Sequence, residues 1–277
     1  MTALWFYLAL LLEIVASGGF IVHLVSQKKW VFKVSLRVLT VGFASHTLYL
    51  IYLYGSLPPA PGVNFRAAFS LFAWSIICAY LLFQARFRII ALAGFAAPMA
   101  AMLMLLSALM PKVATTPTPD FKGIWLALHV AATFMGNGLF AIAFLAGIMY
   151  LLQERHIKKK DFGPFFNRLP SLATLDMLGR YAVIYGFPFF TAGMITGSVY
   201  AWYTLGSYWH WDPKEVWSLI TWLLYAALLH ERLAVGWRGR RAAIMAIACF
   251  GMVMFTFIGV GMWFGGYHSF GSPVPGI

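Results

Sequence analysis

Long apolar runs alternate with short polar or basic breaks along this chain. The runs recur near the twenty residues that an α-helix needs to cross a hydrocarbon layer of about 30 Å. Eight spans are expected, at approximately 3–25, 35–55, 67–84, 89–110, 124–152, 181–203, 217–235 and 242–264. The pattern therefore predicts an all-α, polytopic integral membrane protein of about eight transmembrane helices. The run from Ala3 to Val25 is too long for the apolar part of a signal peptide, and no basic stretch precedes it, so it is expected to be a retained first span. No internal repeat interrupts the series, and no polar stretch is long enough to fold alone. Residues 1–277 are read as a single membrane domain.

Composition agrees with that solvent. The chain is 62% hydrophobic and 10% charged, with a mean hydropathy of +0.80, against roughly 25% charge in soluble domains. The net charge of +12 is explained by where the cations fall. One set of inter-span loops holds 16 of the 20 lysines and arginines, from Lys28 to Arg241; the opposite set holds Arg66, Lys112, Lys122 and Lys214. The positive-inside rule makes the first set cytoplasmic and puts both termini outside, on the periplasmic side of a bacterial cytoplasmic (inner) membrane. Anionic lipid accounts for the basic surplus, and nucleic acid is not needed as a partner.

One outer segment, "GSYWHWDPKEVW" (Gly206–Trp217), gathers aromatic and charged residues at unusual density. Its Asp212-Pro213-Lys214-Glu215 part is a helix-start signature: a capping aspartate, proline in the first turn and glutamate three residues after the cap. An interfacial aromatic belt explains Trp and Tyr at such a depth. It does not explain why Tyr208, Trp209 and Trp211 are packed into the loop before the cap.

The histidines sort by depth. His129 lies five residues into the fifth span, or roughly 8 Å along it, and His268 lies four residues past the outer end of the eighth. Both belong near the outer surface, at the level of the aromatic segment. Paired neutral imidazoles are a common way to hold haem iron or another d-block metal, and tryptophans offer a porphyrin a flat apolar surface. For each of these histidines the plainer reading is an interfacial hydrogen-bonding residue. His230 sits late in the seventh span, His46 near the middle of the second and His23 near the inner end of the first. Depth alone does not choose between His23 and His46 as a companion for His230, and either would make a second, inner ligand site. His156 belongs to a solvated basic run, and His210 could touch a ligand of the aromatic segment. Glu13 stands as the acid well inside an apolar run, with no role assigned by its position. Cys78 and Cys249 form no CxxC and read as small core residues.

"GSYWHWDPKEVWSLITWLLYAALLH" resembles the tryptophan-rich WWD signature of the haem-handling membrane proteins, and most of all the CcsA/ResC type of the system II cytochrome c biogenesis pathway. "WLALHV" at Trp125–Val130, "GYHSFG" at Gly266–Gly271 and "ASHTLYL" in the second span are similar to the same family's segments. The resemblance implies that His129 and His268 are the axial ligands of haem b (iron protoporphyrin IX) at the outer face. Tyr208, Trp209, Trp211 and Asp212 would line the haem edge in an external segment, 202–217. His230 would meet haem inside the membrane, with a second inner ligand supplied by a CcsB/ResB-type partner rather than by His46 or His23. The family motif has tryptophan where this chain has Leu205, and Trp202, three residues earlier, is the candidate substitute. The first outer loop also follows the family pattern only loosely.

The activity so implied is that of a holocytochrome c synthase (haem lyase) subunit. It would deliver haem to the outer face and present it for thioether attachment to the CxxCH segment of an apocytochrome c, while a thiol-reducing protein of the same pathway keeps those cysteines reduced. Two alternatives stand beside it: a haem transporter or chaperone that leaves attachment to another subunit, and a regulatory membrane scaffold with no haem role.

Overall fold

The structure, a computed structural model, describes residues 2–55, 65–111 and 123–264. Within them, eight helices are long and apolar enough to cross a membrane: α1 (Thr2–Ser26), α2 (Lys29–Gly55), α3 (Phe65–Phe87), α4 (Ile90–Leu109), α5 (Gly123–Lys158), α6 (Leu172–Leu205), α7 (Pro213–His230, continued by a π-helical turn, Glu231–Val235) and α8 (Arg240–Met254, continued through a π-helical turn, Phe255–Gly259, to Trp263). There is no strand among the described residues. Tight turns between α1 and α2, α3 and α4, and α7 and α8, with the longer α5–α6 connection, form the lysine- and arginine-rich end of the bundle. The opposite end carries the aromatic segment.

The burial pattern of α1 shows how these helices differ from those of a soluble protein. Its buried stripe is Phe6, Ala9, Glu13, Ala16, Ser17, Phe20 and His23, while Leu4, Tyr7, Leu11, Val15 and Val22 are exposed. Polar groups turn inward and aliphatic groups outward, the arrangement suited to a lipid solvent, in which tight packing and interhelical hydrogen bonds rather than hydrophobic exclusion hold helices together. Helix α3 is central and buried almost without a break from Ala67 to Ala73. The alanines of α4, including Ala93, Ala96, Ala97 and Ala100, bring its backbone close to α1 and α3. Helix α5 packs on α3, α6 and α8 and joins the two halves of the bundle.

The helices are longer than hydropathy alone predicts, chiefly at the basic end. Helix α6 begins at Leu172, nine residues before the expected 181, with Ser171 as cap: its Oγ accepts from Thr174 N at 3.3 Å. Asp176 and Arg180 lower the hydropathy of this turn, yet Leu175, Leu178 and Gly179 are buried in it. Buried Arg232 donates to the Asp176 carboxylate and carbonyl at 3.4 and 3.2 Å, and Gly239 N reaches the same carboxylate at 2.9 Å. One aspartate thus ties the start of α6 to both sides of the α7–α8 turn. The long basic connection between α5 and α6 carries a 3₁₀ turn, Phe166–Arg168, whose Arg168 donates to Val25 O of α1 at 2.8 Å.

Candidate functional site

Helices α5 and α6 make the most extensive contact in the molecule, and glycines bring them together. A Cβ at Gly136 would lie 2.8 Å from Phe190 N, and one at Gly193 would lie 2.9 Å from Thr133 N. Gly193 and Gly197 are four residues apart, a small-xxx-small face of α6. His129 of α5 lies against that face. Its Nδ1 is 2.7 Å from Gly193 O, and a Cβ at Gly197 would stand 2.5 Å from Nδ1. A carbonyl can only accept, so Nδ1 carries the proton and Nε2 is the acceptor nitrogen of the neutral ring. This is the arrangement that orients histidines toward metals in many proteins.

Helix α6 ends at Gly206, in the left-handed conformation at φ 78°, where its N–H still reaches Trp202 O at 3.0 Å. The aromatic loop follows, roughly 13 Å along the axis from Gly197. Trp202 and Tyr208, both exposed, stack at 4.7 Å with their planes 12° apart. Trp209 and Trp211 meet edge to face at 5.9 Å. Trp211 adopts φ 58°, rare for a bulky residue, and is 78% exposed, whereas Trp209 turns inward with its indole N–H buried and without a hydrogen-bond partner among the described residues.

The loop closes on the predicted helix start. Asp212 Oδ1 accepts from Lys214 N at 2.8 Å, and Glu215 Oε2 accepts from the amides of Asp212 and His210 at 3.3 and 2.8 Å, a capping box that takes in one amide beyond the cap. Asp212 is buried beneath the loop in that role, not displayed on its surface.

The remaining predicted residues fall in three places. His268 lies outside the described residues. His230 is exposed on the side of the bundle, one residue before the π-helical turn Glu231–Val235, so its imidazole faces away from the chain's own core. His46 is fully buried, with Nδ1 2.7 Å from Glu13 Oε1 and Nε2 2.9 Å from Ser70 Oγ. The structure therefore brings His46 to α1 and α3, not to His230. Glu, His and Ser in that order have the connectivity of a hydrolase triad, but Ser70 is sealed among the helices with no path for a substrate, which leaves a three-helix polar clamp. Position in an apolar run marked Glu13 and His46; the contact between them is a tertiary fact. Gly193, Gly197, Asp176 and Arg232 carried no chemical signal in the sequence.

A bundle of eight membrane-crossing helices among the described residues, with an oriented histidine at the end that carries the aromatic segment, defines the class of a multi-pass membrane protein. Residues 41–268 match the family described as "Cytochrome C assembly protein", and the chain belongs to that family. It is 34% identical over 221 residues to the cytochrome c biogenesis protein CcsA of Chlamydomonas reinhardtii, a match covering 76% of this chain and 61% of that protein. It is 30% identical to CcsA of Prochlorococcus marinus strain MIT 9312 over 270 residues, 89% of this chain and 87% of the relative. CcsA of Synechococcus sp. strain CC9311 is likewise 30% identical, over 277 residues. The chain thus spans about three fifths of the Chlamydomonas protein's length but most of the Prochlorococcus and Synechococcus ones. The matching family and these relatives are described as proteins of cytochrome c assembly and biogenesis.

Proposed function

We propose that the chain is the membrane subunit of a cytochrome c synthase, delivering haem b to the outer face and presenting it to the CxxCH segment of an apocytochrome. The observation that carries this reading is His129: its ring is fixed through Nδ1 by Gly193 O on a glycine face of α6, at the same end of the bundle as the exposed Trp202, Tyr208 and Trp211. Those residues suit haem, which needs an imidazole for its iron and flat apolar surface for its ring. His268 is the proposed second axial ligand. Trp209 contributes from beneath the loop, and Asp212 holds the loop's shape through the cap.

The attachment adds each cysteine S–H across a vinyl C=C of the haem, sulfur to one carbon and hydrogen to its neighbour, so no oxidant or reductant is consumed. The haem supplies the reactive groups; the chain supplies ligation, orientation and a site outside the hydrocarbon layer. Thiols must arrive reduced, the task of a thiol-reducing partner. His230, exposed on the surface of the bundle, is proposed to share an inner haem with a ligand from a CcsB/ResB-type subunit. The basic end is proposed to face the cytoplasm and the aromatic end the periplasm of a bacterial cytoplasmic membrane, a reading that the distribution of the 20 basic residues supports.

Absorption spectra of the purified chain, with and without the partner, test the site. His129→Ala and His268→Ala should each lose the outer haem's Soret band, and His230→Ala should deplete haem reaching that site. Unchanged haem in all three variants would overturn the assignment. Expression with the partner and an apocytochrome in cells lacking their own maturation machinery tests the activity. Haem that accumulates on the chain without any covalent cytochrome would make it a carrier and not a synthase.

A further inference from the structure

A cavity of about 610 Å³ opens at the basic end, far from the aromatic loop, between the end of α1, the first turns of α2, the end of α3 and the start of α4. Its floor and walls are apolar: Phe32, Leu36, Leu81, Ala85 and Ile90. Lys29, Lys33 and Arg88 also line it, and no carboxylate does. None of these cations forms an ion pair among the described residues. Three uncompensated cations around an apolar hollow would repel one another, and they select an occupant with an anionic head and a greasy body.

Two further groups narrow the head. His23 Nδ1 is 3.0 Å from Lys28 O, so it donates, and Nε2 of the neutral ring is an acceptor in the cavity wall. Gln84 Oε1, from the same wall, is buried and has no hydrogen-bond partner among the described residues. A buried acceptor left unmet is costly. The site therefore asks for negative charge and for hydroxyl donors in one ligand. A carboxylate- or phosphate-only head satisfies the cations and leaves both acceptors unmet.

We propose that this cavity is a specific site for an anionic glycerophospholipid of the inner leaflet, of phosphatidylglycerol type. Its phosphate lies among Lys29, Lys33 and Arg88, its headgroup hydroxyls are donated to Gln84 Oε1 and His23 Nε2, and its acyl chains begin along Phe32 and Leu36. The site is independent of the haem reading, since it uses none of the residues assigned there.

Native mass spectrometry of the full chain, released from detergent with lipids added in turn, tests the proposal. Phosphatidylglycerol should bind more tightly than phosphatidylcholine, and more tightly than phosphatidic acid, which has the charge without the hydroxyls. Lys33→Gln and Arg88→Gln should each weaken phosphatidylglycerol about fivefold. Gln84→Leu should abolish its advantage over phosphatidic acid while leaving the charge preference intact. Lys159→Gln and Lys160→Gln, at the same end but outside the cavity, should have no effect. Equal weakening by all four charge variants would reduce the effect to general surface charge and overturn the site. So would equal binding of phosphatidylglycerol and phosphatidylcholine, or displacement of the lipid by added ferric haem.

Discussion

At the scale of single residues, the chemistry depends on small groups that make room for larger ones. Gly197 is the clearest case, because a methyl group there would collide with the imidazole of His129. Gly197→Ala is expected to turn His129 away from Gly193 O and to lower the outer haem content by more than half. Gly251→Ala, where an added Cβ would meet nothing within 4 Å, should leave haem unchanged. Soret absorbance per folded chain distinguishes the two. The cap offers a second test. Asp212→Ala should cost about 1 kcal/mol, typical of a lost N-cap, and it should speed hydrogen exchange at Lys214 N, whose amide Asp212 accepts. The cap was legible in the sequence because a capping box is local chemistry, readable from four consecutive residues. The glycine face was not, since its meaning depends on what α5 places opposite it.

Between elements, buried polar groups choose which helices are neighbours. The Glu13–His46–Ser70 clamp joins α1, α2 and α3 in a region where hydrophobic residues are interchangeable among themselves. Removing one member strands the others without solvent. His46→Ala is therefore expected to destabilise the bundle by about 3 kcal/mol or more, as for other broken buried pairs. The triple replacement Glu13→Leu, His46→Leu, Ser70→Ala should recover most of that loss. Thermal unfolding in detergent measures both. Hydropathy placed all eight helices, because the bilayer rewards any apolar run of sufficient length. It missed the first turns of α6 because Asp176 and Arg180 count against a span on any such scale, while the pairing of Asp176 with Arg232 removes much of that cost. Pairing of this kind is invisible until the chain is folded.

For the whole molecule, orientation is the open variable that function depends on. Single cysteines introduced at Lys159 and at Tyr208, in a chain with Cys78 and Cys249 replaced by serine, should label from opposite sides of a sealed vesicle, Tyr208 from the periplasmic face. Labelling of both from one side would contradict the topology read from charge. The family resemblance was legible through the aromatic segment and the histidine-bearing stretches, which lie far apart in sequence. The way His230 faces was not, because helical periodicity in a chain that is greasy all round does not say which side meets lipid. That outward imidazole has a consequence for counting. On the proposed reading, in which His230 supplies one of two axial ligands and a partner the other, iron bound there would be a tally of completed pairs: the inner-site spectrum should grow with added partner and level off at one iron for each pair.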